Sequence, residues 1–277
     1  VKGAFMNIIG IIPARLKSSR LPEKMLRKVN GKTLIELVYE NAKKAKLLKK
    51  LYVATDSPKI KKAVEKSGGL VIMTSSKCKS GTERIKEALK TVKANINDIV
   101  VNIQGDEPAL EPKLIDAAVD ALVKDDRYDC ATLASQITDP SQIKDASCVK
   151  VVTDKDGGAM YFSRAVIPFS RDKKTVPVLK HIGLYAYRKT VLDRWNSMQS
   201  CYENTEKLEQ LRMLENGIKI KVIRAKSRSI GIDTPKDLKN FKKMVNGDKN
   251  VKIYIRNRRR GIVAGKRNSG VVNRRPA

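Results

Sequence analysis

Residues 8–25 read IIGIIPARLKSSRLPEKM, an isoleucine-rich run that turns into a cationic loop. The apolar half has the length and composition of a short buried strand, and Pro13 is expected to break it. Arg15, Lys17, Arg20 and Lys24 follow, with Ser18 and Ser19 between them. Open α/β sheets bind ligands beyond the carboxyl ends of their strands. Arginine forks match phosphate oxygens in pairs, and lysine supplies a mobile point charge. Two readings of the loop stay open at this point: a polyanion site, and a solvated basic turn in a basic chain.

Outward from this strand, apolar runs alternate with amphipathic stretches. Residues 32–46 place Leu34, Leu37, Val38 and Ala42 at helical spacing. Residues 51–55 (LYVAT) read as a second strand, and 57–66 as a helix capped by Ser57 with Pro58 at its first position. Gly68 and Gly69 turn the chain into a strand at 70–73, followed by a helix at 80–91. A fourth buried strand at 98–103 (DIVVNI) precedes a helix at 111–124. This alternation, with continuously apolar strands, predicts a mainly parallel sheet with helices on both faces. The second half is less regular, with strands expected at 131–137, 149–153, 160–162, 181–187 and 218–223 and helices at 204–215 and 235–245. No linker rich in Gly, Pro or Ser and no internal repeat divides the chain. One α/β domain over residues 1–245, with a small subdomain inserted near its end, is the expected arrangement. Gly31-Lys32-Thr33 resembles the end of a P-loop, but that motif needs a glycine at position 26, which is Leu; Gly31 is expected to make the turn into the helix.

The chain of 277 residues carries 58 Lys and Arg against 29 Asp and Glu, a formal charge of +29. Residues 246–277 hold 10 basic residues and one acid, and are expected to form a disordered basic tail. Such charge predicts weak, salt-sensitive contact with nucleic acid or anionic membrane. Against a dedicated nucleic-acid reader, the chain has no reader motif and no basic patch interleaved with aromatics. A hydrophobic content of 41% suffices for a core, and 5% aromatics makes it mostly aliphatic. No apolar run approaches the ~18 residues of a membrane span. The first five residues read as a leader before the first strand, or Val1 as a non-ATG start, with no long apolar signal-peptide core. Cys78, Cys130, Cys148 and Cys201 include no CxxC pair, and with the single His181 they do not read as a zinc site. Reduced thiols in the cytoplasm are the expectation.

The groups able to do chemistry are scattered. NIQGDEP (102–108) puts Asp106 and Glu107 after Gly105 at a strand end. Carboxylates facing a cationic loop suit a magnesium–nucleotide site, because hard oxygen ligands hold Mg²⁺ and the ion bridges to phosphate. A polar turn is the plainer reading. Asp233 in SIGIDTPKDL precedes Thr234 and Pro235 and could serve only as a helix N-cap. Alternation over 181–187 places His181, Gly183, Tyr185 and Tyr187 on one strand face. In ENTEKLEQLR (203–212), Glu206, Glu209 and Gln210 have helical spacing, which by default marks a solvated face.

In order, IPARLKSSRLPEKML, SGTER (80–84), VNIQGDEP, VKVVTDKDGGAMYFSRAVIP, KHIGLYAYR, EKLEQLR and GIDTPKDL make the chain resemble the 3-deoxy-manno-octulosonate (Kdo) cytidylyltransferases, the CMP-Kdo synthetases, over residues 7–245. The resemblance implies a Rossmann-like nucleotidyltransferase fold of GT-A type with an inserted sugar-binding and dimerisation subdomain, a homodimer, and Mg²⁺ dependence. It implies that CMP passes from CTP to the anomeric hydroxyl of Kdo, releasing pyrophosphate and feeding lipopolysaccharide synthesis. Arg15, Arg20 and Lys24 would neutralise the triphosphate, and Asp106 and Asp233 would hold the metal, with Arg15, Lys24, Asp106 and Asp233 as the catalytic set. Ala14, Ser80 and Gly81 match the nucleoside end. Gln104, Arg164, His181, Tyr185, Glu209 and Gln210 match the sugar pocket. Where the family has DHxSGT, this chain reads Lys77-Cys78-Lys79, a departure at the nucleoside end. The alternatives are a cytidylyltransferase for 8-amino-Kdo or another 2-keto sugar acid, and a basic nucleic-acid-binding paralogue.

Overall fold

The computed structural model describes residues 6–172, 176–227 and 231–247. The basic tail from 248 onward and the first five residues lie outside them, so the expectations of disorder and of a leader fall on undescribed chain. The first half alternates as its periodicity predicts: β1 (Ile8–Ala14), α1 (Leu34–Ala42), β4 (Lys50–Thr55), α2 (Pro58–Lys66), β5 (Leu70–Met73), α3 (Gly81–Val92), β6 (Ile99–Asn102) and α4 (Pro112–Lys124). Between β1 and α1 lie a single 3-10 turn (Lys24–Leu26) and a hairpin of β2 (Lys28–Val29) and β3 (Lys32–Thr33). The second half adds β7 (Cys130–Gln136), α5 (Ser141–Lys144), β8 (Lys150–Thr153), β9 (Ala159–Ser163), β10 (Leu179–Arg188), α6 (Lys189–Arg194), α7 (Cys201–Glu206), α8 (Glu209–Glu215), β11 (Ile220–Arg224) and α9 (Pro235–Gly247).

The sheet runs β11-β7-β10-β6-β1-β4-β5. β1 pairs in parallel with β4 and β6, β4 with β5, and β11 with β7; β10 alone on this path is reversed, antiparallel to β6 and β7. A mixed, mainly parallel α/β sheet is therefore observed. β8 and β9 form a side branch hung on the start of β10, which is the inserted piece. Alternation along β1 divides the core. Ile8 and Ile12 pack with Ile35, Val38, Ile60 and Ile115 from α1, α2 and α4. Ile9 and Ile11 pack with Ile85, Leu89, Val191 and Leu211 from α3, α6 and α8. A third cluster joins Phe241 and Val245 of α9 to Leu21, Leu34 and Leu37, pinning the last helix against the basic loop.

Four expectations need correction. Pro13 does not end β1, because its missing N–H falls on the side facing β6; that ladder finishes where Ile103 N donates to Ile11 O at 3.0 Å. Gly31 does not open the helix. With Asn30 it makes the hairpin turn at φ +85° and +49°, an Asn-Gly pair suited to positive φ, and Thr33 caps α1 in a capping box with Glu36. The helix expected over 204–215 is two helices, broken at Lys207, whose φ is +54°. Finally, α9 extends through Gly247, so the expected boundary after residue 245 falls inside a helix.

Candidate active site

The carboxyl ends of β1 and β6 and the N-termini of α3 and α9 open on one cleft of ≈ 440 Å³. The basic loop forms one wall, with Ala14, Arg15, Lys17, Arg20 and Lys24. Ser80, which caps α3, Gly81 and Arg84 of α3, and Gln104, Asp106, Glu209 and Asp233 also line the cleft. All the expected catalytic and nucleotide residues, with two of the expected sugar residues, therefore face one space.

At its centre the Lys24 ammonium lies 2.7 Å from Asp106 Oδ2 and 2.9 Å from Asp233 Oδ1. Arg20 reaches the other Asp233 oxygen at 3.1 Å. Burial pulls the Lys24 pKa down, but the two carboxylates outweigh it and hold the group above its ordinary value. The local chain explains why Asp233 is available. The N-terminus of α9 is capped by Thr234, whose Oγ1 accepts from Asp237 N at 3.2 Å, while Asp237 Oδ2 accepts from the backbone N–H groups of Thr234 at 2.8 Å and Asp233 at 3.2 Å. Capping thus falls to Thr234 and Asp237, and the Asp233 carboxylate faces the cleft. Ile232 N donates to Asp106 O at 3.0 Å and ties the two acidic turns together.

Two carboxylates converging on one cation are a donor set that Mg²⁺ can use when phosphate oxygens and water supply the rest. The described residues contain no group of three or more His, Cys, Asp or Glu side chains able to hold a metal ion by themselves. The site therefore suits a metal that arrives with an anionic ligand.

At the α3 end, Ser80 caps the helix by accepting from Glu83 N at 3.2 Å. A Cβ on Gly81 would stand 3.3 Å from Pro13 Cγ, so a small residue keeps the helix close to β1. Cys78 Sγ donates to Glu87 Oε2 at 3.0 Å, and burial together with Glu87 pushes the thiol up to about 11. Sequence reasoning gave no role to Arg84, which is 3% exposed, lines the cleft, donates to Thr74 Oγ1 at 2.6 Å and pairs with Asp56 at 3.5 Å. A basic residue in the first turns of a helix that opens on the cationic loop was the available signal.

The remaining sugar candidates, His181, Tyr185, Gln210 and Arg164, are not among the residues that line this cleft. β10 has a register shift between Ile182 and Tyr185, and Gln104 Nε2 donates to Gly183 O at 2.9 Å across it. His181 and Tyr185 stay on one side, their ring centroids 5.3 Å apart, so the alternation survives the shift. Burial pushes His181 down to about 4, which leaves the imidazole neutral. The Thr132 hydroxyl donates to Leu184 O at 2.7 Å, so its 3.0 Å contact with His181 Nε2 requires the hydrogen on Nε2. Glu209 bonds to the Thr82 hydroxyl, and burial raises its carboxyl above the ordinary range against bonds from Thr82 and Ser80. Gln210 is buried at 5% exposure. Arg164 is not in the cleft wall. Its Nε donates to Glu206 O at 2.7 Å and its Nη1 to Ala146 O at 3.0 Å, holding the break between α7 and α8. Glu206, once grouped with Glu209, belongs to that clasp and accepts from Ser163 Oγ at 2.6 Å.

The cytidylyltransferase family model matches residues 9–220, most of the chain, ending at the first residue of β11. The chain belongs to the cytidylyltransferase family. It is therefore a nucleotidyltransferase. The 8-amino-3,8-dideoxy-manno-octulosonate cytidylyltransferase of Shewanella pealeana is 46% identical over 236 residues, 84% of this chain and 96% of that relative. The protein of the same name from Shewanella amazonensis is 45% identical over an equal share. Among solved structures, a CMP:2-keto-3-deoxy-manno-octonic acid synthetase complexed with CTP superposes with a TM-score of 0.82 at 37% identity, covering 87% of this chain and 98% of its own. A 4-diphosphocytidyl-2C-methyl-D-erythritol synthase from Anaerococcus prevotii, at 18% identity and a TM-score of 0.58, shares the fold. No described helix is long and apolar enough to cross a membrane.

Proposed function

We propose that this cytidylyltransferase joins CMP from CTP to the anomeric hydroxyl of a 3-deoxy-manno-octulosonate sugar acid, releasing pyrophosphate, with the 8-amino sugar as its substrate. The observation that carries the reaction is the meeting of Asp106 and Asp233 on one cation inside a cleft walled by Arg15, Arg20 and Lys24. Support for the 8-amino sugar is the 44–46% identity to relatives named for it, against 37% to the CMP-Kdo synthetase. Kdo itself is the second reading, favoured by the 0.82 TM-score of that synthetase.

The cations of the basic loop neutralise the triphosphate and the departing pyrophosphate, whose charge must be stabilised as the bond breaks. Ala14, Ser80 and Gly81 receive the nucleoside through backbone groups and short side chains. Asp106 and Asp233 would hold Mg²⁺, which would supply Lewis-acid stabilisation of phosphate charge. Gln104, His181, Tyr185, Glu209 and Gln210 orient the sugar. Neutral His181, with hydrogen on Nε2, offers Nδ1 as an acceptor to a hydroxyl. No covalent protein intermediate is required, so catalysis is positioning and charge stabilisation. The free thiols accord with a reducing cytoplasm. A homodimer accords with exposed Phe169, Val176 and Met160 on and around the β9–β10 connection, 85%, 56% and 63% exposed.

The test is pyrophosphate release by the purified protein with CTP, Mg²⁺ and either sugar. Release with the 8-amino sugar at ten or more times the kcat/KM for Kdo is expected. The reverse preference would establish the second reading, and release with neither would overturn both.

A further inference from the structure

Lys24 holds both acidic groups at once. Its ammonium bridges Asp106 and Asp233 at 2.7 and 2.9 Å, and its side chain is only 11% exposed. Arg20, 65% exposed, takes the second oxygen of Asp233. Two cations and two anions thus lie within ion-pair distance of one another. We propose that Lys24 is the resident counterion of the metal position, which keeps Asp106 and Asp233 from taking a divalent cation alone and yields them when nucleotide phosphate arrives to receive its ammonium. The inference rests on the metal role proposed above for the two acids.

Electrostatics argue for the exchange. Two carboxylates aimed at one point repel unless a cation lies between them, and Lys24 supplies it. A divalent ion entering alone would displace the ammonium and leave it nearly buried and unpaired, which is costly. A triphosphate removes that cost, because its oxygens are equivalent partners for a lysine on a flexible four-carbon stem. Lys24 lies on the single 3-10 turn that closes the basic loop, within the same cleft as Arg15 and Arg20, so the phosphate seat is at hand. Metal and nucleotide then raise each other's affinity, and by linkage the coupling is reciprocal. The same four side chains serve two pairings. Without ligand, cations sit on carboxylates; with ligand, cations sit on phosphate and carboxylates on metal.

The probe is Mn²⁺ binding followed by electron paramagnetic resonance on the full chain, without sugar, so that no turnover occurs. In the unaltered protein, binding is expected to be weak without nucleotide and at least tenfold tighter with CTP, beyond the affinity of CTP alone for Mn²⁺. Lys24→Met is expected to raise the nucleotide-free affinity at least tenfold, with circular dichroism reporting the fold, and Lys24→Gln to do the same. Adding Asp106→Asn to Lys24→Met should remove the gain. Unchanged nucleotide-free affinity in folded Lys24→Met, with CTP-dependent binding intact in the unaltered protein, overturns the counterion role and leaves the metal reading standing. A gain that survives Asp106→Asn overturns the metal reading as well. Should neither Lys24 variant fold, tight nucleotide-free Mn²⁺ binding by the unaltered protein would by itself overturn the proposal.

Discussion

Arg164 was expected to touch the sugar, yet its guanidinium is engaged with backbone carbonyls of the α7–α8 break, and Arg164→Ala separates the two roles. Its Nε bond to Glu206 O, at 2.7 Å and partly buried, is a hydrogen bond from a charged donor. Such bonds contribute about 1.5–3 kcal/mol. The Nη bonds to Ala146 O and Lys207 O, at 3.0 and 3.5 Å, are exposed and add little. A loss of about 2 kcal/mol is therefore expected, which in a domain of this size lowers Tm by about 4–8 °C. Glu209 begins α8 just beyond the break, so the loosened turn also displaces a cleft residue, and kcat/KM for the sugar should fall along with Tm. Differential scanning calorimetry and pyrophosphate-release kinetics read the two effects. A Tm unchanged within about a degree, with sugar KM raised tenfold and CTP KM unaltered, would refute the clasp and restore Arg164 as a direct sugar contact.

Asp237→Ala removes the carboxylate half of the α9 cap and should cost about 1 kcal/mol of stability while Mg²⁺-dependent turnover persists; Asp233→Ala should leave Tm within a few degrees and abolish turnover. Equal loss of turnover in both variants would show that Asp233 acts only through the helix cap. His181, held neutral by burial with a pKa of about 4, binds a proton in the unfolded chain near its ordinary 6.5 but not in the folded one. Between those values the unfolded state binds more protons, so the His181 contribution to stability is complete above about pH 6.5 and is lost on acidification toward pH 4, by about 3 kcal/mol in all. Urea unfolding across this range should show a shallower acid slope in His181→Asn; an identical slope would mean that His181 is not the group responsible. Cys78→His should raise the CTP-over-UTP ratio of kcat/KM by up to about tenfold, the worth of one hydrogen bond. An unchanged ratio in steady-state assays would make the departure from the family pattern harmless.

Local periodicity made most of the sheet and its covering helices legible, because β1, β5 and β6 are largely apolar runs and α2 and α3 each begin at their own capping serine. Ser57, Pro58 and Ser80 are examples: the cap residue and the apolar spacing agree within a single segment. Periodicity failed where a distant group overrides a local preference. The stretch 204–215 has a helical pattern, but Arg164, some 40 residues earlier, draws the carbonyls of Glu206 and Lys207 out of it.

The candidate site divides along the same line. The cations of 15–24 are contiguous and could be read together, whereas Lys24 meets acids 82 and 209 residues away, a pairing that only the fold creates. The resemblance to a known family implied a metal role for the acids, but it could not reveal that a lysine stands between them. Nor could SIGIDTPKDL alone decide whether Asp233 caps a helix, because Asp233, Thr234 and Asp237 are all chemically able to do so. The backbone decides it: Asp237 Oδ2 collects the N–H groups of Asp233 and Thr234, and only then is the Asp233 carboxylate left for the cleft. A capping carboxylate four residues past the acid is thus part of what makes the site, and exchanging it changes which carboxylate a cation meets.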